Sequence, residues 1–161
     1  MTRDRRIALL LDVLDQAFDH RAWHGTALAG AIRGLAHRDA LWRPRPGRHN
    51  IWEIVLHAAY WKYIVRRRLT RDLGLTFPRA GSNWPRLPAP ADTAAWKRDV
   101  ALLREEHRLL RAVIARLPPS RLASRGWRSR WSTAEHIYGI ASHDLYHAGQ
   151  IQLLKRLRRG G

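Results

Sequence analysis

The chain has 161 residues, of which 45% are hydrophobic, and carries a formal net charge of +17 at pH 7. This length and apolar content predict a single globular domain over residues 1–161. The chain has no cysteine, which excludes disulfides, thiolate metal sites and a cysteine nucleophile, and a cytoplasmic location is expected. No apolar run is long enough to cross a membrane, so no membrane partner is expected.

The positive charge comes almost entirely from arginine, because lysine occurs only at Lys62, Lys97 and Lys155. A charge of this size attracts polyanions, so non-specific binding to nucleic acid is one hypothesis, with residues 66–68 as a dense basic cluster. The other interpretation is a solvated basic surface without a specific partner. It is favoured because the arginines are dispersed and no DNA-reading motif is present.

Helical periodicity runs through the chain, and no alternating strand pattern is present. The apolar stripes predict four long amphipathic helices, over residues 4–19, 51–71, 93–117 and 133–158. A shorter helical piece is expected near 26–35. Four amphipathic helices of this length favour an all-α fold, a four-helix bundle.

Capping residues support three of the predicted helix starts. Two pairs have the capping-box spacing: Asn50 with Glu53, and Ser132 with Glu135. Asp92 is predicted to be the N-cap of the third helix. The long helices therefore begin where the sequence supplies acceptors for their first backbone N–H groups.

The connections after the first and second helices, 20–49 and 72–91, are much longer than the usual turn of a bundle. A link of this length can return the chain along the bundle, so the second and third helices are predicted to run parallel. The second link is rich in Pro and Gly and cannot be one helix. We expect it to cover a functional site.

Three histidines lie among the apolar positions of two predicted helices. His143 and His147 are four residues apart and share one helix face with Ile140 and Ile151. The matching apolar stripe of the second helix carries Ile54, His57, Trp61 and Ile64. A buried imidazole needs a polar partner, and one borderline metal ion such as zinc, nickel or iron would satisfy all three. The alternative is three separate core histidines bonded to backbone or hydroxyl groups.

Three further side chains each have more than one interpretation. His107 is a fourth ligand, a proton shuttle or, as we favour, either a core residue or a residue that supports a ligand. Asp144 either holds a ligand imidazole or forms a salt bridge, and the salt bridge is favoured. Glu53 either accepts from His57 or completes its helix cap, and the cap is favoured. The other histidines are expected at the surface or in loops: His20, His24, His37, His49 and His136.

The segments IWEIVLHAAYWK and HDLYHAGQIQLLKR resemble the DinB-like, or YfiT-like, superfamily of metal-binding four-helix bundles. The resemblance follows most of the chain in order and spacing and includes the loop FPRAGSNWP. It implies long crossover connections and a metal site formed by His57, His143 and His147, with coordination positions left open for water or substrate. Zinc and nickel are the ions it implies first, with iron or manganese as alternatives.

The resemblance also implies a function, although it identifies no catalytic side chain. A metal-dependent enzyme of the thiol S-transferase or hydrolase type is expected, since a metal ion with open positions can ionise bound water or a bound thiol near neutral pH. Its expected partners are a small-molecule substrate, with a low-molecular-weight thiol as one candidate, and a second copy of the chain in a homodimer. Two alternatives stay open: a basic protein associated with nucleic acid, and a bundle whose metal is only structural.

Overall fold

The computed structural model describes residues 4–126 and 129–160. These residues form six α-helices: α1 Arg5–Phe18, α2 Leu28–Ala31, α3 His37–Leu41, α4 Ile51–Thr70, α5 Thr93–Ala115 and α6 Thr133–Gly160. A short 3-10 helix, Pro119–Arg121, lies between α5 and α6. The four long helices begin and end within two residues of their predicted bounds. No strand occurs in the described ranges, so the all-α prediction is confirmed.

The short helical piece expected near 26–35 is instead two short helices, α2 and α3. The turn between them contains Gly34, whose φ of 70° lies in the left-handed region. A right-handed helix cannot continue through that conformation, and glycine adopts it without steric cost. The first long connection is therefore folded back by this turn rather than helical throughout.

α4 packs against α5 and α6, and α1 packs against the same two helices, which closes a four-helix bundle. Trp52 donates to Asp99 near the starts of α4 and α5, whereas Lys62 meets His107 further along both helices. Because the contacts advance in the same direction on both helices, α4 and α5 run parallel. The parallel arrangement predicted from the long second connection is thus confirmed.

Two apolar clusters fill the bundle, one at each end. One cluster includes the apolar residues of α4 between Ile51 and Ala59, together with residues from the first half of α5 and the second half of α6. The other includes Val65 and Leu69 of α4 with Leu110 of α5 and Ile137 of α6. The middle of the bundle lies between these clusters, and it carries the buried polar groups described below.

α4 buries residues on more sides of the helix than the single apolar stripe that the sequence predicted. Ile54 and His57 are buried as expected, but Trp61 and Ile64 are only half-buried. Lys62 is fully buried instead. The stripe prediction was too narrow because α4 is covered on one side by the bundle and on another by the chain that follows it.

No helix among the described residues is long and apolar enough to span a membrane.

Candidate metal centre

The three predicted histidines meet at the middle of the bundle. Nε2 of His143 lies 3.0 Å from Nε2 of His57 and 3.1 Å from Nε2 of His147. The candidate ligand atoms of all three residues lie within 4.8 Å of one another. Two imidazole nitrogens that each lie about 2.0–2.1 Å from one tetrahedral zinc ion are about 3.3–3.4 Å apart. The two separations at Nε2 of His143 are within about 0.4 Å of that distance, so small shifts of the rings would accommodate a shared ion.

Hydrogen bonds fix the orientation of two of the rings. Nδ1 of His57 lies 2.6 Å from the backbone oxygen of Asn83, and Nδ1 of His147 lies 2.7 Å from Oε1 of Gln150. Because both oxygens are acceptors, each Nδ1 donates and carries the ring proton. The Nε2 atoms of His57 and His147 then present lone pairs toward His143, as metal-ligating imidazoles do.

For the third ring, His143, neither position of the ring proton gives every nearby imidazole nitrogen a hydrogen-bond partner. Its Nδ1 is buried and has no hydrogen-bond partner among the described residues. If the His143 proton is on Nδ1, three lone pairs face one another. If the proton is on Nε2, it serves only one of the two neighbouring nitrogens, and the other stays unpaired. A cation bound by all three nitrogens removes this conflict, so the residues fit a metal ion.

The electrostatic environment keeps these imidazoles neutral. Burial lowers the pKa of His57 to about 4, and the nearby His147 adds to that effect. Burial likewise lowers the pKa of His143 to about 3, with contributions from the other two imidazoles. Burial also lowers the pKa of His147, against the opposing hydrogen bond to Gln150. At neutral pH all three nitrogens are therefore available as ligands.

The connection 72–91 covers the centre, as predicted. Trp84 stacks on His57 with 4.0 Å between ring centroids, and it also stacks on His49 at 3.5 Å. Nε1 of Trp61 donates to Oδ1 of Asn83 at 2.9 Å. The loop is therefore fastened to α4 by the same residue, Asn83, whose carbonyl orients a candidate ligand.

Glu53 and Asp144 adopt the interpretations favoured from the sequence. Glu53 completes the capping box with Asn50 and accepts from Arg43 at 2.7 and 2.5 Å. Asp144 forms an inter-helix salt bridge with Lys62, and both side chains are 0% exposed. Burial raises the pKa of the Asp144 carboxyl, and the Lys62 ammonium opposes that rise. Neither carboxylate joins the histidine group.

His107 is a core residue rather than a fourth ligand. Its ring stacks on Phe18 with 3.8 Å between centroids, and its Nδ1 lies 3.4 Å from Nζ of Lys62. Burial lowers its pKa to about 2, and the Lys62 ammonium adds to the effect. Together with Asp144, these groups form a buried polar layer beside the three histidines.

The remaining histidines lie at the surface or are partly covered, as expected. His20, His24 and His49 are exposed, and His37 and His136 are half-buried. Two of them have contacts that the sequence did not predict. His49 stacks on Trp84 at the centre, and His136 borders a cavity beside His143.

Sequence reasoning missed Asn83 and Gln150, the two residues that orient ligand rings. Gln150 follows His147 by three residues on the same helix, so its spacing was a usable signal. Asn83 had no such signal, because its carbonyl reaches His57 only through the path of the loop. Lys62 was also missed, since lysine on a helix is normally exposed.

Two cavities open beside the three histidines. A cavity of about 1120 Å³ is bordered by all three of His57, His143 and His147. A second cavity, of about 630 Å³, is bordered by His143 together with Trp61 and Trp131. The centre is thus accessible to small molecules.

Comparison with known proteins identifies the family of this chain. The searches of curated proteins and of solved structures gave no match. A family model described as the DinB superfamily matches residues 19–151, which include all three histidines of the centre and most of the bundle. The chain belongs to the DinB superfamily.

Proposed function

We propose that this protein binds one divalent metal ion through Nε2 of His57, His143 and His147 and acts as a metal-dependent enzyme of the transferase or hydrolase type. The observation that carries the proposal is the convergence of the three Nε2 atoms, with the ring protons of two of them directed away to Asn83 and Gln150. Zinc or nickel is the ion proposed first, because both bind imidazole well.

The number of ligands supports an enzyme over a purely structural site. Within residues 4–126 and 129–160, no other His, Asp or Glu belongs to the group. Structural zinc sites are usually closed by four protein ligands, whereas catalytic sites have three and keep a position for water or substrate. A divalent ion held there supplies a Lewis acid and makes bound water or a bound thiol a nucleophile near neutral pH.

The chain's own residues would position and shield the reaction. Asn83 and Gln150 hold the rings of His57 and His147 through their Nδ1 hydrogen bonds. Trp84 stacks on His57 and keeps water from that face of the ring. The larger cavity borders the three ligands, so a substrate within it would lie next to the ion.

The test is turnover by metal-loaded protein on three substrate classes: carboxylic esters, amides, and electrophiles offered together with a low-molecular-weight thiol. We expect the zinc- or nickel-loaded native protein to act on at least one class, and His143→Ala to lower that rate about 100-fold or more, since even residues that only support a metal ligand matter by 10–100-fold. The matched control, His20→Ala, removes an exposed histidine and is expected to retain the rate. A native protein that holds one ion yet matches the metal-free protein on all three classes would contradict the enzymatic proposal.

A further inference from the structure

The larger cavity has an apolar wall that projects from the bundle. Leu153 and Leu157 lie one helical turn apart on α6 and are 57% and 49% exposed. Trp42 and Ile54 continue the same lining. Large apolar side chains that stay exposed beside a cavity are typical of a ligand-binding surface.

The polar lining of this cavity has one sign of charge. Arg45 and Arg48 line it, and no aspartate or glutamate does. Both arginines are exposed, and within the described part of the chain neither side chain forms an ion pair. Their neighbour Arg43 differs, because Glu53 neutralises it. The cavity therefore carries two uncompensated guanidinium groups.

The loop that carries these arginines is held in place. Nη1 of Arg43 donates to the backbone oxygen of Arg48 at 2.5 Å and to Oε2 of Glu53 at 2.7 Å. Glu53 is itself anchored in the capping box at the start of α4. The backbone at Arg48 is thus tied to the helix that carries His57, so the basic lining keeps its place relative to the candidate metal centre.

We propose that this cavity binds an organic anion with an apolar body. The guanidinium groups of Arg45 and Arg48 hold the anionic group, and Leu153, Leu157 and Trp42 contact the apolar body. The cavity of about 1120 Å³ is large enough for a molecule of this kind. The inference rests on the proposed function and deepens it, because it names the class of substrate that would lie beside the three histidines.

The test compares two probes that share an aromatic body. One is 8-anilino-1-naphthalenesulfonate, which is anionic, and the other is N-phenyl-1-naphthylamine, which is neutral. On zinc-loaded protein, we expect Arg45→Gln/Arg48→Gln to weaken binding of the sulfonate about tenfold, because two charged contacts are lost, and to change binding of the amine less than about twofold. Leu153→Ser/Leu157→Ser is expected to weaken binding of both probes, since both lose apolar contact.

The matched control is Arg130→Gln, which removes an exposed arginine from the other cavity. It is expected to leave the sulfonate affinity unchanged. Weaker binding in Arg130→Gln with normal binding in Arg45→Gln/Arg48→Gln would place the anion in the other cavity and overturn the proposal. Equal losses for both probes in Arg45→Gln/Arg48→Gln would overturn it too. Zinc content is measured on the same samples, so that failure of metal binding is seen separately from loss of anion selectivity.

Discussion

Replacing Lys62 with methionine is expected to destabilise the metal-free protein by about 3–5 kcal/mol, because it leaves a buried carboxylate without its counter-charge. Lys62 and Asp144 are both 0% exposed, and they join α4 to α6. The second oxygen of Asp144 has no hydrogen-bond partner among the described residues, so the ammonium is its principal stabilisation. The measurement is urea-induced unfolding at pH 7 with a chelator present.

Two further variants test whether the loss of stability comes from the buried, unpaired carboxylate rather than from the loss of one positive charge. Lys62→Met/Asp144→Leu removes both charges and is expected to recover most of the lost stability. Arg108→Gln breaks a solvent-exposed pair with Glu105 and is expected to leave the urea midpoint almost unchanged, because water screens that pair. If Lys62→Met unfolded at the same urea concentration as Arg108→Gln, the pair would not be buried as described.

Acidification is expected to lower the free energy of unfolding of the metal-free protein progressively below pH 6.5. Burial lowers the pKa of His57 to about 4, of His143 to about 3 and of His107 to about 2, from an ordinary value of 6.5. Between these values the unfolded chain binds protons that the folded chain does not. The stability is therefore complete above pH 6.5 and falls as the pH decreases, by up to about 1.4 kcal/mol per pH unit for each imidazole. Asp144 offsets part of this loss, because burial raises its pKa.

The variant His107→Phe tests the origin of that pH dependence. It keeps a ring against Phe18 but removes the imidazole that is farthest from its ordinary pKa. The free energy of unfolding is measured by urea denaturation at fixed pH values between 6 and 4. In His107→Phe its slope against pH is expected to decrease by the contribution of about one proton. An unchanged slope in His107→Phe, or a native stability that does not vary from pH 7 to pH 4, would contradict this account of the buried histidines.

Much of the bundle could be predicted from the sequence because its signals are local. The capping boxes at Asn50 and Ser132, and the N-cap at Asp92, define three helix starts through hydrogen bonds within one turn. The spacing of His143 and His147 fixes their common face in the same way. These features needed no knowledge of what packs against each helix.

The parts that could not be predicted depend on contacts between distant segments. Lys62 is buried only because Asp144, on another helix, supplies a counter-charge. The carbonyl of Asn83 reaches His57 because the loop turns back at Asn83 itself, whose φ of 61° lies in the left-handed region. Neither outcome follows from helical periodicity, which describes one element at a time. The three-histidine centre was predictable as a set of residues, but the groups that orient it were not.

The position of the centre follows from the layering of the bundle. Two apolar clusters fill its ends, and the polar groups of α4, α5 and α6 share the middle. On the side of α5, this layer contains Lys62, Asp144 and His107. On the other side, His57 and His143 meet beneath the covering loop. A rigid, paired layer of this kind holds the helices that carry the candidate ligands in a fixed relation.

The most direct test of the central claim is the metal content of purified, tag-free protein, measured by elemental analysis after incubation with zinc or nickel and removal of free ion. The account predicts about one ion per chain for the native protein and for the His20→Ala control, and essentially none for His143→Ala/His147→Ala. A native protein that retains neither zinc nor nickel would contradict it, and the three histidines would then be residues of the polar core.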